Sequence, residues 1–323
     1  MDMPSAPCAL RFMPSRADTR VVRPLRALAF VAVVLATGAG PAATTSLPGA
    51  PSCPILPPTN VWNRPIDGLP AHPDSDRLVR AIGLADALHP DFSDHGRYGI
   101  PINVVGARTP RARVRFGYAD ESDRVRYPIP ARPRIEGGSD RHLLMLDRDA
   151  CRLFELFGAA RGPEGGWTAG SGAVFDLRSN ALRPAGWTSA DAAGLPILPG
   201  LARYDEVAAG VIDHALRFTA SRTRRAYVYP ARHRASDSPD PALPPMGLRV
   251  RLRASVSLAG YGPQARAVLV ALKRYGMILA DNGSPWYVTG APNRGWDDDD
   301  LHELGRIRGA DFEVVDTRRL RNG

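Results

Sequence analysis

Glycine and proline constrain this chain more than any other feature of its sequence. There are 31 of each among 323 residues, close to one residue in five. Both residues interrupt long helices and favour turns, so a coiled coil is excluded. With 44% hydrophobic residues, the chain is not disordered throughout. We therefore predict a mainly β fold, a jelly-roll-like β-sandwich with two or three peripheral helices.

The N-terminal segment has the order of a secretory signal peptide. Several arginines precede an apolar run over residues 27–40, which ends in small residues. The run is shorter than the ~20 residues of a membrane-spanning helix, although an uncleaved anchor is the alternative. We predict a signal peptide over 1–43, a Pro-rich extended leader over 44–60 and a single β-rich domain over 61–323. The product is expected to be secreted, monomeric and without a stable membrane anchor.

The chain is basic, with a formal net charge of +9 and a pI near 10. Nearly all the basic residues are arginine, Lys273 being the only lysine. The arginines alternate with Asp and Glu rather than forming a basic stripe, so we predict no nucleic-acid partner. A moderate positive charge can attract acidic polymers without being diagnostic of them.

Two cysteines remain after removal of the segment that contains Cys8. Disulfides persist outside the cell, so we predict that Cys53 pairs with Cys151. Such a bond closes a loop of about 98 residues and stabilises the fold by ~4 kcal/mol in the chain-entropy model. Two independent buried thiols are the alternative.

The motifs of several enzyme classes are missing. The sequence has no G-x-x-x-x-G-K-[ST], G-x-G-x-x-G, H-E-x-x-H, G-x-S-x-G or C-x-x-C motif. This disfavours nucleotide hydrolases, Rossmann enzymes, zinc proteases and α/β-hydrolases, and we predict no cofactor. The histidines and aspartates of 89–95 form a compact cluster without a metal-site template, and Asp297–Asp300 either binds Ca²⁺ or begins a helix. We predict no metal.

Local patterns predict several elements. A helix begins near Asp74, and a second covers 263–276 between a first-turn proline and a C-terminal glycine. Two apolar runs within 141–157 flank a polar turn and predict a hairpin. A second hairpin is expected over 277–289, with its turn at Asp281-Asn282-Gly283.

Carboxylates and tryptophans in turn-rich sequence suggest a carbohydrate site. Glycosidic cleavage uses a carboxylate pair, for which the candidates are Glu155 and Asp176. Glu155 lies in an apolar strand, where burial raises its pKa as a general acid requires, but pairing with an arginine is equally compatible. Indoles stack on sugar rings, although most tryptophans are core residues. Candidate substrate-binding residues are Arg178, Asn180, Trp187, Asp281 and Trp286.

A polysaccharide lyase is the other enzymatic interpretation of the sequence. It needs a His or Tyr base, here His142, His214 or Tyr229, together with groups that neutralise a uronate. Arg217, Arg232 and His233 supply such groups. Each of these residues taken alone is more often structural than catalytic.

Several stretches resemble a group of exported proteins of actinobacteria and related bacteria. They include Asp140–Leu143, Gly186–Gly200, Asp213–Arg217 and Asp281–Ser284. The resemblance implies export and a β-rich fold, and it assigns no catalytic residue. We expect a secreted carbohydrate-active protein that cleaves an extracellular polysaccharide. The alternative is a non-catalytic carbohydrate-binding or structural envelope protein.

Overall fold

Short strands carry most of the regular structure of this protein. The computed structural model describes residues 45–162 and 165–322, so the predicted signal peptide over 1–43 lies outside the described residues. The strands are β1 (His89–Asp91), β2 (Ile102–Val105), β3 (Arg111–Ala112), β4 (Val114–Phe116), β5 (Tyr127–Pro128), β6 (Leu143–Asp147), β7 (Arg152–Phe157), β8 (Ala160–Arg161), β9 (Trp167–Ala169), β10 (Ser171–Asp176), β11 (Leu216–Ala220), β12 (Arg249–Leu252), β13 (Met277–Asn282), β14 (Tyr287–Thr289) and β15 (Phe312–Val314). The predicted mainly β fold is confirmed.

The largest sheet has six strands in the order β1-β14-β11-β13-β12-β15. Its inner strands β11 and β13 are almost wholly buried. The pairs β1–β14 and β11–β13 are parallel, whereas the other pairs are antiparallel. A jelly roll consists of antiparallel strands, so this mixed strand order differs from the expected one.

A second sheet of four strands has the order β10-β7-β6-β2. Strands β6 and β7 form the antiparallel hairpin predicted over 141–157, which is thereby confirmed. Alternate residues of this sheet contact two different apolar clusters. Leu153 belongs to the main cluster and Phe154 to a smaller one. The smaller sheets β4-β9-β8 and β3-β5 also contribute to that second cluster.

Four α-helices occur within the described residues, one more than the upper limit of our expectation. They are α1 (Ser75–Ile82), α2 (Tyr204–Ala208), α3 (Pro263–Arg274) and α4 (Asp298–His302). Helix α1 buries Leu78, Val79 and Ile82. Helix α3 begins at the predicted proline, and Gly276 beyond its end has φ +65°. Asp297 caps α4 by accepting a hydrogen bond from the Asp300 N–H, so the acidic run begins a helix.

The hairpin predicted over 277–289 is wrong. Strands β13 and β14 are not neighbours, because β11 lies between them and pairs with both. The Asp281-Asn282-Gly283 segment therefore carries the chain across the end of β11, where the Gly283 N–H donates to the Ala220 carbonyl. Nor is β14 an edge strand, since β1 pairs with its other side.

The segment expected to be an extended leader packs against the main cluster. It has no regular helix or strand before the 3₁₀ turn Val61–Asn63, but it buries Leu47, Ile55 and Leu56. The predicted disulfide between Cys53 and Cys151 is confirmed and joins this segment to the start of β7. A disulfide is consistent with an extracellular location. The described residues contain no helix that is long and apolar enough to span a membrane.

Candidate functional site

A cleft of about 480 Å³ brings together loops from both large sheets. Asp281 from the end of β13 lines it, and residues 188–190 form part of its wall. The cleft is rich in hydroxyls and carboxylates. Its polar lining residues are Tyr118, Glu121, Asp140, Ser171, Thr188, Ser189, His233, Arg234, Ser236, Asp237, Asp281 and Asn282.

Asp281 is the cleft residue with the most unusual environment. Leu279 pairs with Phe218 of β11 and Asp281 with Thr219, which leaves Ala280 as an extra residue in the strand. Such bulges redirect side chains beside functional sites. The Asp281 side chain is 26% exposed, and one of its carboxylate oxygens lies 4.0 Å from Nη2 of Arg217. Burial and the negative charge of Asp191 raise the pKa of Asp281 to about 7, and Arg217 offsets only part of this rise.

Arg217 does not neutralise Asp281 because it is committed elsewhere. Its Nε and Nη2 donate to the two carboxylate oxygens of Asp191 at 3.1 and 2.9 Å, and its Nη1 donates to Oγ1 of Thr289 at 2.6 Å. Arg217 and Asp191 are both buried. Fork-like pairs of this kind are short and directional. The guanidinium of Arg217 is therefore turned inward and does not line the cleft in which the predicted uronate-binding role would be exercised.

His142 forms a second buried ionic pair behind the cleft wall. One ring nitrogen bonds to the Glu136 carboxylate and the other lies 3.1 Å from the Ala190 carbonyl. Burial alone would lower the pKa of His142, but the hydrogen bond and charge of Glu136 outweigh it and raise the pKa. Both ring nitrogens face acceptors, so the imidazolium is the favoured form. A buried cation of this kind is unsuited to act as a lyase base.

Glu155 and Asp176 do not form the predicted catalytic pair. Ala173 of β10 is opposite Glu155 and Asp176 is opposite Arg152, so the two carboxylates lie three register positions apart. Because side chains alternate along a strand, Glu155 and Asp176 point to opposite faces of the sheet. Asp176 is exposed, whereas Glu155 is fully buried.

Glu155 is a structural carboxylate. It accepts hydrogen bonds from the backbone N–H groups of Ile197 and Leu198, with all three N···O distances at 3.0 Å. Burial raises the pKa of Glu155 to about 7, as the apolar strand predicted. The residue predicted as a general acid thus lies in the core, away from the cleft lining.

The other predicted base residues also serve the fold. Nε2 of His214 lies 3.0 Å from the Glu206 carboxylate, and Nδ1 lies 2.8 Å from the Ala215 carbonyl. His214 is buried, so it cannot meet a substrate. Tyr229 is half-buried and lines a small hollow of about 30 Å³ outside the cleft.

The predicted substrate-binding residues divide between the core, the surface and the cleft. Trp286 is fully buried, stacks between Phe218 and Phe312, and donates its indole N–H to the Gly83 carbonyl. The structure therefore places this predicted sugar platform in the core and not in the cleft lining. Arg178 and Asn180 are exposed but do not line the cleft. Asn180 instead bonds to the side chains of Asn60 and Thr59.

Two further candidates support the cleft from outside. Nε of Arg232 donates to the Arg183 carbonyl at 2.8 Å. The Trp187 ring is half-buried, and its centroid lies 5.5 Å from the guanidinium carbon of Arg183. Of the candidate site residues, the structure places only Asp281 and His233 in the cleft lining.

Sequence reasoning missed the exposed aromatic and acidic lining of the cleft. Tyr118 is 61% exposed there, whereas Trp62, Trp167 and Trp296 are buried. Glu121 is the last residue of the 3₁₀ turn Ala119–Glu121 that follows Tyr118, and its carboxylate accepts a hydrogen bond from the Thr188 N–H at 3.0 Å. Tyrosine, aspartate and glutamate in turns carry no distinguishing local signal, so the sequence offered no means of choosing them.

The histidine–aspartate cluster of 89–95 meets the acidic run that begins α4. Ligand atoms of Asp94, His95 and Asp298 lie within 4.8 Å of one another. The Asp298 carboxylate, however, already accepts hydrogen bonds from the Ser93 hydroxyl and from the backbone N–H groups of Asp94 and His95. Hydrogen bonding within the protein thus accounts for this arrangement.

The described residues thus form a mixed β-sheet protein in which an acidic, hydroxyl-lined cleft lies between loops of the two large sheets. Comparison of the chain with protein-family models, curated proteins and solved structures finds no match. Its chemistry therefore has to be interpreted from the cleft itself.

Proposed function

We propose that this protein is a secreted glycoside hydrolase that cleaves a neutral extracellular polysaccharide in the cleft around Asp281. The observation that carries the proposal is the Asp281 carboxyl, which is three-quarters buried, borders the cleft and has a pKa of about 7. Such a group is protonated at mildly acidic pH. It can therefore donate a proton to a glycosidic oxygen, as a general acid must.

Glu121 is the partner carboxylate in this proposal. Hydrolysis needs a second carboxylate as nucleophile or base. The Glu121 side chain is 36% exposed and is oriented by the Thr188 N–H, while Nε2 of His233 lies 3.7 Å from it. The exposed ring of Tyr118 supplies a flat surface on which a sugar can stack.

The charges of the cleft favour hydrolysis of a neutral glycan over elimination from a uronate. Glu121, Asp140 and Asp237 all line the cleft, with His233 and Arg234 as the basic side chains among its described lining. Acidic walls repel a carboxylated sugar. Arg217, which a lyase would use, is committed to Asp191.

The test is incubation of the mature chain with a panel of neutral and uronic-acid polysaccharides. New reducing ends without ultraviolet absorbance from an unsaturated product indicate hydrolysis. We expect Asp281→Asn to lower kcat by about 100-fold or more, which is the usual contribution of general acid catalysis. Asp176→Asn is the matched control, because that exposed carboxylate lies outside the cleft lining.

Three outcomes contradict the proposal. Absence of cleavage with every glycan is one, and an unsaturated product is the second. Equal loss of activity in both variants is the third. Binding to a glycan without cleavage favours the alternative of a non-catalytic carbohydrate-binding protein.

A further inference from the structure

A surface outside the cleft gathers arginines that are scattered in the sequence. Two adjoining hollows of about 550 and 420 Å³ share Pro110, Pro130 and Ala131 in their walls. The hollows are therefore contiguous, and we call them the arginine trough. The arginines that line it are Arg108, Arg111, Arg113, Arg148 and Arg161.

Strand periodicity turns part of this set of arginines toward solvent. Arg111 and Arg113 are exposed, whereas Ala112 and Val114 pack against the smaller apolar cluster. Alternate residues of an extended chain lie roughly 6.6 Å apart on one face. The sequence thus places Arg111 and Arg113 on one outward face, which the acids interspersed along the linear sequence conceal.

Among the described residues, the acids close to the trough pair with only part of this charge. Arg111 is paired with Asp147 at 2.7 Å. Asp149 is the acidic residue of the described lining, and its carboxylate accepts a hydrogen bond from the Ala107 N–H at 2.6 Å. Within the described residues, Arg108 and Arg113 form no ion pair.

We infer that the arginine trough binds an acidic polysaccharide through its carboxylates. Guanidinium groups bind carboxylates in a two-pronged geometry. The walls between them are apolar, formed by Pro110, Ile129 and Pro130, and Trp167 lies beneath Arg161. Such walls suit the C–H faces of sugar rings, whereas a nucleic-acid backbone would use only the charge. This inference goes beyond the proposed hydrolysis and does not depend on it.

The experiment measures the affinity of the full chain for polygalacturonate at low and at physiological salt. Arg108→Gln/Arg113→Gln is compared with Arg222→Gln/Arg225→Gln, which removes the same charge from exposed positions outside the trough. We expect the trough variant to bind about fivefold to tenfold more weakly and to depend less on salt. The control variant should bind like the unaltered chain. Thermal unfolding verifies that both variants fold.

Three results would overturn the inference. The first is failure of the unaltered chain to bind polygalacturonate. The second is a loss of affinity in the control variant as large as that in the trough variant. The third is binding of duplex DNA of equal charge as tight as the binding of polygalacturonate. Asp281→Asn should retain full binding. Failure of the trough is thereby distinguished from failure of the cleft.

Discussion

At the residue scale, the cleft depends on an imbalance between buried charges. Arg217 faces two carboxylates but forms short hydrogen bonds to only one of them, Asp191. Asp281 is left 4.0 Å away, with burial opposing its ionisation. One guanidinium thus pairs with one aspartate and leaves the other able to hold a proton near neutrality.

The pH dependence of hydrolysis follows from this arrangement. Asp281 is protonated below its pKa of about 7 and loses its proton above that value. A general acid must start protonated, so we expect kcat to be highest below pH 7 and to fall about tenfold per pH unit above it. A pH profile of kcat on the cleaved glycan tests this. A rate that rises through pH 7 would instead make Asp281 a base.

The sequence predicts the properties of some residues of the site, but it predicts hardly any of the residues that contact them. It predicted a raised pKa for Glu155 from the apolar strand, and this is confirmed. It could not predict that Ile197 and Leu198 cover the carboxylate, since that contact joins residues about 40 positions apart. Whether a strand residue faces a cleft or the core depends on which segment packs over it.

At the element scale, Glu155 connects β7 to the turn that begins at Leu198. Two backbone N–H groups would otherwise be buried without acceptors. The carboxyl is buried too, so burial raises its pKa to about 7. Its folded-state pKa exceeds its unfolded one, and the folded state therefore binds more protons. The stability linked to Glu155 is fully present below about pH 4.5 and is lost as pH rises through 7.

We expect the free energy of unfolding to fall by about 3 kcal/mol between pH 4 and pH 8 through Glu155. In Glu155→Gln the amide does not titrate, so the fall should be smaller by this amount, while Asp281, whose pKa is also raised, keeps its own contribution. Urea unfolding at several pH values measures it. Asp120→Asn, at an exposed position, is the control. A pH dependence as large in Glu155→Gln as in the unaltered chain would contradict the assignment.

Elements with strong local signals are the ones that the sequence predicts well. Helix α3 has a proline at its start and a glycine beyond its end, and the β6–β7 hairpin is sequential. The hairpin expected over 277–289 does not form. Its turn signal is local, whereas the strands on either side of the turn pair with a strand that is distant in the sequence. Strand β11 pairs with β13 and β14 from about 60 residues earlier in the chain.

At the scale of the whole molecule, the disulfide joins the N-terminal segment to the second sheet. Cys53 and Cys151 are separated by 98 positions, and both are buried. Cross-linking restricts the unfolded chain over that whole distance, which is worth ~4 kcal/mol in the chain-entropy model. Apart from one isolated β-bridge, residues 45–60 form no regular secondary structure. The disulfide is therefore the cross-link that holds this segment against the rest of the fold.

Replacement of both cysteines by serine should therefore lower Tm by roughly 10 °C. Scanning calorimetry of the variant beside the unaltered chain measures the change. The unaltered chain under reducing conditions should approach the variant, which excludes an effect of the serines themselves. A Tm that neither treatment alters would show that packing alone holds the segment.

The order of strands in the six-stranded sheet has a consequence for the timing of folding. Strand β1 comes from residues 89–91, but its partner β14 begins at Tyr287, and the opposite edge is β15 at 312–314. During synthesis the largest sheet therefore cannot be completed until nearly the whole chain has left the ribosome.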